Sequence, residues 1–175
     1  MRLGLGIALA LVTAAGIPAQ EDREFLTPNE VQQVREAQDP NDRLVLYVHF
    51  AKQRMDLLQQ YLAKEKSGRS VFIHNTLEDY AKIIEAIDSV SDDALRHSKP
   101  IDKGTQAVLD AEKEFLAQLK KILDSQPKDL DRYQFVLQTA IDTTSDSRDL
   151  GVQDAQKRSA QLAAGDAKEK KEREP

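Results

Sequence analysis

The sequence predicts an all-α protein: an antiparallel four-helix-type bundle with an additional short N-terminal helix. Three observations carry this. The chain holds only 7 Gly and 6 Pro in 175 residues, too few for a turn-rich β protein. Apolar residues recur at alternating steps of three and four through its middle. A cap residue is followed directly by proline twice, at Thr27–Pro28 and at Asp39–Pro40.

The first helix is expected over 28–38, with Thr27 as cap, Pro28 at the first helical position and Glu30 closing a capping box. The second begins at Pro40. Leu44, Val48, Ala51, Met55, Leu58 and Leu62 form its stripe, widened by Tyr47, Phe50, Leu57 and Tyr61, until Lys64–Gly68 ends it. So broad a face suits a bundle helix better than a two-strand seam.

The third helix is expected to start in VFIHNTLEDY, residues 71–80. Asn75 with Glu78, or Thr76 with Asp79, supplies first-turn capping chemistry, leaving His74 just outside. Leu77, Tyr80, Ile84 and Ile87 then face inward, and Lys99–Pro100 marks the latest stop. The fourth helix is expected over about 102–125, and the fifth from Asp129. Leu130, Tyr133, Leu137, Ala140, Ile141 and Thr144 keep the spacing of the fifth, and TTSDSRDLG then reads as a kink or stop.

The domain reading is a secretory signal at 1–19, a linker at 20–27, one helical domain at 28–164 and a charged disordered tail at 165–175. Met1 and Arg2 are followed by an uncharged run from Leu3 to Gln20. Ala19 would fill the −1 pocket and Ile17 the −3 pocket of a signal's end, which places cleavage between Ala19 and Gln20. An uncleaved anchor is the alternative. The expected location is therefore extracytoplasmic, with no stable membrane insertion after cleavage. The absence of cysteine excludes lipoprotein modification, c-type haem attachment and thiol catalysis.

The net charge of −5 argues against a nucleic-acid partner. No Gly-rich phosphate loop, nucleophile elbow or His-Glu-x-x-His helix occurs, and no catalytic residue, metal ligand or cofactor is assigned. The three histidines read as surface or capping groups, with His49 opposite the apolar face of its helix. Met55 lies on the core stripe, where packing explains it better than haem ligation.

Two charges break the inward faces: Arg54 on the second helix and Glu112 on the fourth. Isolated buried charge is costly, so the two are expected to approach each other or to be otherwise paired inside the bundle. A register-fixing ion pair is the preferred role for them, over a ligand site.

LTPNE, residues 26–30, resembles the LTxxQ motif of small periplasmic helical stress chaperones, with Glu30 in place of the glutamine. That resemblance implies a capacity to bind exposed peptides. The leading expectation is a non-enzymatic structural or protein-interaction role, with an unknown protein or peptide partner. Phe25, Leu26 and Val31 are candidate contacts where the first helix covers the bundle. A metal- or cofactor-binding bundle is the alternative.

Overall fold

The computed structural model describes the backbone of residues 23–173 and the side chains of residues 23–160. The expected signal, with its cleavage position at Ala19 and Gln20, lies outside the described residues. Five α-helices occur in order: α1 (Pro28–Glu36), α2 (Pro40–Leu62), α3 (Arg69–Arg96), α4 (Asp102–Asp124) and α5 (Gln134–Arg173). No strand occurs among the described residues. None of the described helices is long and apolar enough to cross a membrane.

The bundle is two antiparallel hairpins, α2–α3 and α4–α5, laid side by side. Helix α2 packs on α4, and α3 packs on α5. The parallel sense of α2 and α4 shows at their starts, where the Gly104 N–H donates to Asn41 Oδ1 and the Asn41 amide reaches the Pro100 carbonyl. A Cβ on Gly104 would stand 2.7 Å from Leu44 Cδ1, so this glycine sets how closely the two helices approach. The core is aliphatic with aromatic centres, including Leu44, Phe50, Leu77, Tyr80, Phe115 and Leu137. Leu57, expected to widen the α2 stripe, is exposed instead.

Helix α1 has the expected capping box. Thr27 Oγ1 accepts from the Glu30 N–H, and Glu30 Oε2 accepts from the Thr27 N–H at 2.7 Å. Asp39 likewise caps α2 through the Asn41 N–H.

The start of α3 corrects the sequence reading. The helix begins at Arg69, behind Gly68 in the left-handed region (φ 81), so Asn75, Thr76, Glu78 and Asp79 lie inside it and cap nothing. Burial of Ile73 outweighs the local capping preference of Asn75 and Thr76. The Thr76 hydroxyl donates back to the Phe72 carbonyl, as a mid-helix threonine does. No side chain caps the true start. Arg69 instead ties the corner together, donating to the Leu62 carbonyl at the end of α2 and to both oxygens of Asp129.

The later corners differ in chemistry. Ser98 after α3 and Gln126 after α4 take positive φ, 52 and 47, without being glycine. One 3-10 turn, Leu130–Arg132, precedes α5, which therefore starts five residues later than expected.

Helix α5 then runs unbroken through TTSDSRDLG to Arg173, into the segment read as a disordered tail. The supposed breakers are accommodated. Thr144 donates to the Ala140 carbonyl and accepts from Tyr80, and the Ser147 hydroxyl points to carboxyl groups in the interior. Gly151 lies where a Cβ would come within 3.1 Å of Leu109 Cδ2, so it permits α4 and α5 to close. Beyond it, Ala, Lys and Glu dominate, residues with high helix propensity.

Candidate functional site

Both inward charges are buried, but they do not meet. Arg54 donates to Glu30 Oε1 at 2.6 Å and to Oε2 at 2.7 Å, in a two-pronged pair with side chains 8% and 7% exposed. Its Nη2 also donates to the Phe25 carbonyl. The expected Arg54–Glu112 pair is thus replaced by a nearer partner, because α1 folds back over α2 and its capping glutamate arrives first. One carboxylate serves as helix cap and as counter-ion. Burial pushes the Glu30 carboxyl up, but the bonds from Arg54 and Thr27 outweigh it and leave the group below its usual range.

The chain ahead of α1 is fastened by a second arginine. Arg23 donates to Asp79 at 2.6 and 3.2 Å and to the Asn75 carbonyl, with Glu78 at 3.7 Å. Residues expected to cap α3 instead anchor this segment. Phe25 and Leu26 pack against the core from it, and Val34 does so from α1.

Glu112 faces α3 and α5. It is 0% exposed, and its Oε1 lies 2.7 Å from Ser147 Oγ. The same Ser147 oxygen lies 2.6 Å from Asp88 Oδ1 on α3. Glu112 Oε2 has no hydrogen-bond partner in the protein. Burial, with the nearby Asp88 charge adding to it, outweighs Ser147 and Arg148, and the carboxyl is pushed up to about 7. Next to it, Tyr80 packs edge-on against Phe115 at 5.8 Å. Ser147 is only 3% exposed, and a small cavity beside it is also lined by Asp88, Asp92 and Asp154.

Sequence reasoning missed Asp88 and Ser147. A signal for Ser147 exists: it stands three residues after Thr144, continuing the inward stripe in polar residues.

The histidines stand apart. His49 is exposed, His74 lies 3.7 Å from Glu78 within α3, and His97, the residue that caps the end of α3, lies 3.3 Å from Asp93. Among the described residues, no group of three or more metal-ligating side chains converges.

The surface carries a different feature. At the end where α2 finishes and α3 and α5 begin, several large apolar side chains face solvent. Phe135 is 86% exposed, Val71 58% and Phe72 57%. Phe72 stacks on Tyr61 of α2 with ring centroids 5.5 Å apart. The Arg69–Asp129 pair places the starts of α3 and α5 at this same end. A groove between α2 and α4 opens there, lined in part by Leu62, Ile122 and Pro127.

No family model, curated protein or solved structure matches this chain.

Proposed function

We propose that this protein is an exported, non-enzymatic helical bundle that binds a protein partner through its aromatic end. The observation that carries the reading is the exposure of Phe135, Phe72 and Val71 together at one end of the bundle, two of them aromatic, whereas the other exposed large apolar residues, Val45, Leu57 and Leu150, are aliphatic. Exposed aromatic side chains are costly to keep in water and are favoured anchors at interfaces. The interior polar groups, by contrast, are engaged in joining helices. Export is supported by the basic, apolar and small-residue order of the amino terminus.

The test places a photo-crosslinking residue at position 72 or 135 in the full-length protein, expressed in its own cell. Lys103, an exposed position at the start of α4 and so at the opposite end of the bundle, serves as control. Defined protein adducts are expected at 72 and 135, absent at 103, and reduced when the other aromatic is changed to alanine. Equal labelling at all three positions would overturn the proposed surface. Recovery of the protein only inside the cytoplasm, with Met1–Gln20 intact, would overturn export.

A further inference from the structure

We infer that Asp88, Ser147 and Glu112 form a proton-operated clasp, which draws α3, α4 and α5 together when it holds one proton and loosens them when that proton leaves.

Ser147 Oγ lies within hydrogen-bond distance of Asp88 Oδ1 and of Glu112 Oε1, yet a hydroxyl has one hydrogen to donate. With both carboxyls ionised, one contact has no hydrogen in it and two oxygens face each other at under 3 Å. One added proton removes the conflict. Glu112 then donates to Ser147, and Ser147 donates to Asp88.

Burial sets the direction of that chain. Glu112 is wholly enclosed, whereas Asp88 is only half-buried, so the charge stays on Asp88 and the proton on Glu112. The unpartnered Glu112 Oε2 agrees, since an enclosed oxygen without a donor is far less costly on a neutral acid than on a carboxylate. The upward displacement of both carboxyls has the same cause.

The surrounding charges act in the same sense. Helix α3 presents Asp88 and Tyr80 to Glu112, and Asp92 and Glu85 stand near Asp88. Helix α5 brings Asp146 towards Asp88 and one cation, Arg148, towards Glu112. Among the described residues, no α2 group bonds to Glu112 or acts on its charge. Negative neighbours thus outnumber positive ones, and they hinder ionisation.

The bound proton gives the pH effect its sign. Glu112 releases its proton at about 7 when folded, and near the ordinary 4.5 when unfolded. Between these values the folded state holds a proton that the unfolded chain does not. The clasp's contribution is complete below the lower value, falls as pH rises and is gone above about 7. Glu30, Asp39 and Asp129 are displaced downward, so their contribution changes in acid, below the ordinary carboxylate range, and in the opposite sense.

The experiment is denaturant unfolding of the full chain from pH 5 to pH 8, beside Glu112→Gln. One clasp proton raises the unfolding constant about tenfold per pH unit within the window. Glu112→Gln should lose this part of the slope, while other carboxyls affect both proteins alike. Identical slopes would overturn the inference. Infrared spectroscopy of the unmodified protein gives a second reading that needs no variant. A buried carboxylic-acid carbonyl band should be present at pH 6 and gone by pH 8.5, and its absence at pH 6 overturns the clasp. In Asp88→Asn the Ser147 hydrogen is free to turn to Glu112, so the band should vanish at lower pH. An unchanged midpoint would show that Asp88 is no part of the device.

Discussion

Replacing Glu30 by glutamine tests how the amino-terminal segment is held. Glutamine keeps the shape and still completes a capping box, so the substitution isolates the charge. It leaves the Arg54 guanidinium beneath residues 25–30 with the Phe25 carbonyl and a neutral amide in place of a carboxylate. Breaking a buried ion pair from one side costs about 3–5 kcal/mol. The cover here is a single layer of chain, and α1 packs only lightly on α2, so detachment of α1 limits the loss. We therefore expect about 3 kcal/mol for Glu30→Gln, roughly 2 kcal/mol for Arg54→Met, and a double variant closer to the milder single than to the sum. Denaturant unfolding of all four proteins gives the coupling energy, and hydrogen exchange at Val31–Glu36 locates it. A coupling below about 0.5 kcal/mol, with unchanged protection in α1, would refute the clamp, because values that small are typical of exposed pairs.

Three further substitutions probe the helix starts and the α2–α4 contact. Thr27→Ala removes one half of the α1 capping box and should cost about 1 kcal/mol, with the loss of exchange protection confined to α1. Gly104→Ala drives a methyl group into Leu44 and the Asn41 backbone, so about 1–3 kcal/mol of destabilisation is expected, and calorimetry should show a lower Tm. Asn75→Ala should change stability by less than about 0.7 kcal/mol, and in the stabilising direction, because residue 75 lies inside α3, where alanine has the higher propensity. A loss near 1 kcal/mol in the same unfolding assay would return Asn75 to a capping role.

Helices with regular apolar spacing were legible in the sequence, and so were starts where cap and proline coincide, as at Thr27 and Asp39. The start of α3 was not. Val71, Phe72 and Ile73 look like a separate apolar run ahead of a helix capped at Asn75 or Thr76. In the fold, the Asn75 carbonyl and the Asp79 carboxylate hold Arg23, a contact between positions far apart in sequence. Burial of Arg54 and Glu112 was legible because each interrupts an inward stripe. Their partners were not, because pairing depends on which hairpins lie side by side, and periodicity says nothing about that. Ser147 was overlooked because a stripe that turns polar no longer looks like a stripe. Phe135, the most exposed aromatic side chain at the apolar end, stands among ordinary helix formers, and nothing local marks it as exposed.

The three corners joining the main helices also bear on the order of folding. Gly68 enters the left-handed region at little cost and lets the chain turn from α2 into α3, where Arg69 ties the corner to Leu62 and Asp129. Ser98 and Gln126 enter that region as the residues that end α3 and α4, where the Ser98, Lys99 and Gln126 N–H groups return to the Leu95, Ala94 and Leu123 carbonyls. Helices α2 and α3 share the most extensive helix–helix packing of the bundle, so we expect their hairpin to form the nucleus onto which α4 and α5 dock. Under that order, core substitutions at Ile73 or Leu58 should slow folding, whereas those at Leu119 or Leu137 should mainly hasten unfolding.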